Sequence, residues 1–186
     1  MAQSVKFESG VPEQKEQTVF DLTQMNDTEL SGIALFPNKY WGQKAFCRFT
    51  DYYDGDTATI VFVDNDTLTS CKFRFYGYDS PEIKVPKKIQ GDERIKRKTA
   101  AYAAKNHLME FLDTKFLVVH FTNTREKWGR LLGEVYFFDK ESKVRDIDTY
   151  ECDDTNSVSH YMVHVGHGYN YYGGTKRVTQ EWASEK

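Results

Sequence analysis

"DGDTATIVFVDNDTLTSCKFRFYGYDSPE", residues 54–82, contains two strand-like runs joined by a turn. "TATIVFV" (57–63) is rich in β-branched residues, and "LTSCKFRFYGY" (68–78) alternates Cys71, Phe73 and Phe75 with Lys72, Arg74 and Tyr76. Period-two alternation predicts a strand with one apolar and one polar face. "DND" between the runs is hairpin chemistry. In front of the first run, Asp54-Gly55 reads as a turn where the backbone needs positive φ. A turn needs only one aspartate. Asp56 lies past the glycine, where its side chain is committed to a sheet face.

Outward from this hairpin, "KAFCRFTDYY" (44–53) precedes it as a further strand. "SPEIKVPKKIQGD", punctuated by Pro81 and Pro86, is a loop. A helix fits 93–113, with Ala101, Ala104, Leu108, Phe111 and Leu112 on one side and Asp92 as the expected cap. "KFLVVHF" (115–121) and "RLLGEVYFF" (130–138) are two more strands, and 139–156 is polar loop or surface hairpin. "SVSHYMVHVG" (157–166) has a short helical pattern, capped by Ser157 or Ser159, and "YNYYGGTK" returns to irregular backbone. The order β-β-β-α-β-β-α predicts an α+β fold dominated by β. It suits a five-stranded barrel of the oligonucleotide-binding type, with one long helix after strand three and a short C-terminal helix.

Residues 1–40 read as an acidic N-terminal arm, poorly ordered, and 41–186 as the barrel domain. In 1–32 only Lys6 and Lys15 oppose Glu8, Glu13, Glu16, Asp21, Asp27 and Glu29. The whole chain, 186 residues with a formal charge of −3, is not a basic coat protein. Its positive charge gathers locally in "KVPKKIQGDERIKRK" (84–98). Such a run serves as a solvated helix face, a phosphate-attracting surface or an import signal. No apolar stretch is long enough to span a bilayer, and the N-terminal sequence lacks signal-peptide character, so the expected setting is intracellular, cytoplasm or nucleus, away from membranes. Cys47, Cys71 and Cys152 are odd in number and form no CxxC pair, which predicts reduced thiols.

Three acids (Asp56, Asp79, Glu82) and two arginines (Arg74, Arg130) fall at the ends of these runs. Taken together and in order, "DGDT" (54–57), "RFYGYDSPE" (74–82), "KWGR" (127–130) and "YYGGTK" (171–176) resemble the staphylococcal-nuclease (thermonuclease-like) family. The resemblance covers about residues 45–176, and the C-terminal motif is particularly similar to intracellular and viral members. It implies a metal-dependent, sequence-nonspecific nuclease that hydrolyses DNA and RNA phosphodiesters with Ca²⁺ (Mg²⁺ or Mn²⁺ as substitutes) and leaves 3′-phosphate ends, acting as a monomer.

By the same resemblance, Asp56 and Asp79 are the metal's carboxylate ligands and Ser80 supplies a backbone carbonyl. Glu82 orients or deprotonates the attacking water, and Arg74 and Arg130 hold the scissile phosphate. Lys127 and either Tyr171 or Tyr172 contact a neighbouring phosphate, and Trp128 stacks on a base. These types suit the chemistry. A hard cation takes oxygen ligands, and guanidinium forks match the phosphoryl oxygens bidentately as lysine cannot. Aromatic rings stack on bases without choosing among them.

Two rival readings stand beside this one. A noncatalytic single-stranded nucleic-acid-binding module of the same family would use the same groove. His160, His164 and His167, the first two four residues apart on the short helix, have a spacing that holds zinc.

Overall fold

The structure, a computed structural model, describes Asn26, residues 40–122, 130–139, 146–174 and Lys176. The predicted arm, Lys127, Trp128 and the residues beyond Lys176 therefore lie outside the described residues, apart from Asn26 and Tyr40.

The hairpin forms as expected. β2 (Thr57–Asp64) and β3 (Thr67–Phe75) pair antiparallel, with Asp64 opposite Thr67. Asn65 and Asp66 make the two-residue turn with φ of 46° and 61°. Positive φ at both central residues matches the right-handed twist of the flanking strands. β1 (Lys44–Thr50) pairs β2 antiparallel and ends three residues earlier than its pattern predicts, at Asp51 with φ 46°.

β3 is shorter than the run 68–78. Gly77, at φ +99°, breaks it, and a Cβ there would lie 3.0 Å from Ser159 Cβ. The chain leaves the large sheet and makes β4 (Gly77–Asp79). β4 pairs antiparallel with β7 (Tyr169–Tyr171), a strand within the stretch expected to be irregular.

The long helix α1 (Gly91–Asp113) begins two residues before its predicted start. Asp92 does not cap it: the N-cap is Gln90, without a side-chain hydrogen bond, and Asp92 lies in the first turn. A carboxylate there still interacts favourably with the helix dipole. Ala101, Ala104, Leu108 and Leu112 are buried as their spacing predicts, and Phe111 is half-buried. β5 (Lys115–Phe121) and β6 (Leu131–Asp139) follow. A single 3₁₀ turn (Ile147–Thr149) occupies part of the polar connection. The short helix α2 (Val158–His164) starts at Ser157, whose side chain accepts from the His160 amide.

The strands β1, β2, β3, β6 and β5 form one mixed sheet in that order, and β5 pairs back onto β1, closing the ladder. Only β3 and β6 run parallel. Alternate residues point inward: Cys47 and Phe49, Ile60 and Phe62, Phe73 and Phe75, Leu117, Val119 and Phe121, Leu131 and Val135. Leu108 and Leu112 of α1 and Val158 and Met162 of α2 complete the same core. Edge and tilted ring contacts run through it, as between Phe49 and Phe75 at 4.7 Å. Tyr40, assigned to the arm by sequence, is core: it is 2% exposed, packs on Phe62 and donates to Asp64 Oδ2 at 2.7 Å. Among the described residues no helix is long and apolar enough to cross a membrane.

Candidate active site

The register of the ladder gathers three of the four motifs at one rim. Thr57, the first residue of β2, lies opposite Arg74 near the end of β3. Arg74 in turn is aligned with Leu132 of parallel β6, two residues after Arg130. A one-residue slip in either ladder would turn Arg74 to the opposite face.

Gly55 sets the loop in front of β2, though not by positive φ, which its backbone does not have. A Cβ at this position would come within 2.8 Å of Ala104 Cβ and 3.0 Å of Ser80 Cβ. The glycine lets the loop lie against α1 and the "DSPE" segment at once. Asp54 Oδ1 accepts from the Asp56 amide at 3.3 Å, and the buried Tyr78 hydroxyl donates to the Gly55 carbonyl. Phe75 N donates to the Asp56 carbonyl at 2.9 Å. The Asp56 backbone is thereby tied to the end of β3.

Asp56, 2% exposed, receives three donors. Thr57 Oγ1 (2.9 Å) and Arg74 Nη1 (3.0 Å) donate to its Oδ1, and the Ser80 amide donates to Oδ2 at 3.0 Å. Arg74 extends its other nitrogen, Nη2, to Asp79 Oδ1. One guanidinium thus bridges the two carboxylates. Arg74 belongs to the polar side of β3 by pattern yet is 6% exposed, because its ion partners are buried with it. Buried charges persist only with such pairing.

Asp79 also accepts from the Tyr169 hydroxyl (3.0 Å, Oδ2) and from Lys176 Nζ (2.9 Å, Oδ1). The same ammonium donates to Glu82 Oε1 at 2.7 Å. Glu82 itself stands at the rim with half its side chain exposed. Arg130 Nη1 donates to Thr57 Oγ1 at 3.1 Å, so Thr57 joins the second arginine to Asp56. Tyr171 lies beneath Arg74, with Cζ 5.9 Å from its ring centre, and Tyr172 is 65% exposed with its ring edge-on to Tyr76.

The two aspartates are shifted in opposite directions. Burial, then the charges of Asp54 and Asp79, drive Asp56 well above the ordinary carboxylate range, against the opposing effect of Arg74 and the Ser80 amide. Burial also acts on Asp79, but Lys176 and Arg74 outweigh it and hold this carboxyl below the usual range. Lys176 is correspondingly raised: burial lowers it, and hydrogen bonds to Glu82 and Asp79 more than compensate.

Of the site residues expected from sequence, Asp56, Arg74, Asp79 and Ser80 are joined directly. Arg130 is joined through Thr57, Glu82 through Lys176, and Tyr171 by its ring. For Ser80 the observed contact is its amide; its hydroxyl is buried with no hydrogen-bond partner among the described residues. Sequence reasoning missed Thr57, Tyr169 and Lys176 as parts of the network, although all three fall in or beside the quoted motifs. The basic run divides: Arg94 Nη1 bonds the carbonyls of Val85, Pro86 and Ile89, Arg97 pairs with Glu93, and Lys87, Lys88, Lys96 and Lys98 are exposed.

Among the described residues no group of three or more His, Cys, Asp or Glu side chains is arranged to hold a metal ion. His160 faces Asp154 (3.5 Å) and the His167 ring lies 4.6 Å from that of His107. A two-carboxylate centre is different in kind: Asp56 and Asp79 offer hard oxygen donors, leaving positions for carbonyl, water and phosphate oxygens. The ammonium of Lys176 against Asp79 and Glu82 is a cation already accommodated at that rim. Carboxylate oxygens are the donor type that a hard divalent ion takes. No family model matches the chain, and no curated protein matches it.

Proposed function

We propose that this chain is a metal-dependent, sequence-nonspecific nuclease of the staphylococcal-nuclease type, acting on DNA and RNA through an oligonucleotide-binding barrel. The observation that carries the proposal is the Asp56–Arg74–Asp79 cluster, buried at one rim, with Arg130 joined to it through Thr57. The closed order β1-β2-β3-β6-β5, with the long helix between β3 and β5 along the chain, supports the barrel reading. An ion-pair cluster of this burial is costly to keep as mere scaffold.

In this reading Asp56 and Asp79 hold a divalent cation, Ca²⁺ or in its place Mg²⁺ or Mn²⁺, with the Ser80 carbonyl. A divalent ion held there would supply Lewis-acid polarisation of a phosphate oxygen and would make a nearby water more acidic. Glu82, exposed at the rim, accepts the proton of that water as its oxygen bonds to phosphorus. The P–O5′ bond breaks, the 5′ oxygen takes up a proton, and a 3′-phosphate remains. Arg74 and Arg130 meet the charge that builds on the phosphoryl oxygens. Losing one such donor costs on the order of 3 kcal/mol of barrier, about a hundredfold in rate. Tyr171 or Tyr172, with Lys127 and Trp128 of the "KWGR" motif, would hold the flanking nucleotides by stacking and phosphate contact.

Digestion of single-stranded DNA, duplex DNA and RNA by the purified chain, each with Ca²⁺, Mg²⁺, Mn²⁺ or chelator, tests this against Asp56→Ala. Cleavage that requires metal and disappears in the variant is expected. Nucleic acid bound but never cut would leave the groove as a noncatalytic binding module, and Asp56→Ala cutting at the wild-type rate would remove the metal assignment.

A further inference from the structure

We propose that Lys176 is a competing counter-ion of the cation site: its ammonium holds the Asp79 oxygen that a divalent ion would engage, and ion entry requires it to leave. The inference rests on the two-carboxylate metal reading above and adds a residue that sets its affinity.

Asp79 Oδ1 is filled as it stands. It accepts from Arg74 and Lys176, while Oδ2 accepts from Tyr169, and an ion that engages Oδ1 must displace one of its two donors. The three are not equally movable. Arg74 has a side chain 7% exposed and is anchored a second time on Asp56. Tyr169 lies opposite Asp79 in the β4–β7 pairing, so its hydroxyl withdraws only if that pairing opens. Lys176 has a side chain 42% exposed on a flexible four-carbon stem, with its second partner, Glu82, half in water. The lysine is therefore the group whose release costs least. Its pairing with both carboxylates also neutralises the rim when the ion is absent, where Asp79 and Glu82 would otherwise repel each other.

Displacement links the two cations: whatever the Lys176 pairs contribute is subtracted from ion binding. Partly exposed pairs are individually weak, so removing the ammonium should tighten divalent binding by about threefold to thirtyfold.

The test is calorimetric titration of Ca²⁺ and Mn²⁺ into the full chain, its Lys176→Gln variant and the charge-keeping Lys176→Arg, at one ionic strength. Thermal unfolding is followed in chelator and in saturating metal. Tighter binding and a larger metal-induced rise in Tm for Lys176→Gln, with Lys176→Arg close to wild type, are expected. Equal affinities in all three would overturn the role of Lys176 while leaving the metal site standing. Weaker binding in Lys176→Gln would make the lysine a support for the carboxylates instead. Absence of binding in every protein would overturn the inference and the metal reading together.

Discussion

At the scale of single residues, the two arginines differ in what surrounds them. Arg74 is locked between Asp56 and Asp79 and is almost completely buried, so truncating it would strand two carboxylates and confuse catalysis with stability. Arg130 is part-buried and joins the cluster through one hydroxyl, that of Thr57. Under the proposed nuclease reading it is the better reporter of transition-state charge. Arg130→Ala is expected to lower kcat about a hundredfold with a smaller change in KM, because a donor to the phosphoryl oxygens gains strength as charge accumulates. Steady-state kinetics on a defined oligonucleotide separates the two parameters. A loss carried mainly by KM would make Arg130 a ground-state binding residue. The identity of Asp56, Arg74 and Asp79 as a set is readable in the sequence because each stands at a motif beside a strand end. Thr57, Tyr169 and Lys176 fall in or beside the same motifs, yet nothing local marks them as members of the network. Threonine opening a strand, tyrosine after glycine and a lysine beyond a glycine pair have ordinary local explanations, and only their distances to Asp56 and Asp79 give them a part.

At the scale of elements, amphipathic pattern and turn chemistry account for most of what forms. The "DND" hairpin, the buried face of α1 and the Ser157 cap all follow from local rules. The departures have tertiary causes. Gly77 divides a continuous alternating run because the backbone must pass close to Ser159, and the short β7 exists only because β4 offers it an edge. Gly55 looks like a turn glycine, yet its requirement is the approach of Ala104 and Ser80. This last contact makes α1 a structural support of the site as well as a lid on the core. Leu108, fully buried on its inner face, is the test. Leu108→Ala should cost about 2–5 kcal/mol of stability through lost burial and a residual cavity, seen as a lower denaturant midpoint. A cost below about 1 kcal/mol would mean that α1 repacks or docks mainly through its alanines.

At the scale of the whole molecule, the site spans two substructures of unequal size. Asp56 and Arg74 belong to the closed five-stranded ladder, whose inner positions Ile60, Phe73 and Val119 are fully buried. Asp79, by contrast, ends β4, and its partner Tyr169 begins β7, a three-residue strand with only half-buried or exposed side chains. The overall order of elements was legible from alternation and helix length, but this division was not, since pairing between residues 77–79 and 169–171 depends on how α2 returns the chain. Local stability follows buried contacts and continuous ladders. Amides of β2 and β5 should therefore exchange with solvent only on global unfolding, whereas those of β7 open locally and exchange orders of magnitude faster. Peptide-resolved hydrogen exchange, comparing residues 58–62 with 169–171, measures the gap. A carboxylate held by a rigid ladder on one side and a readily opened strand on the other can adjust one half of the site without disturbing the other. Equal protection in the two segments would instead show that β4 and β7 unfold only with the five-stranded ladder, and that Asp79 is held as rigidly as Asp56.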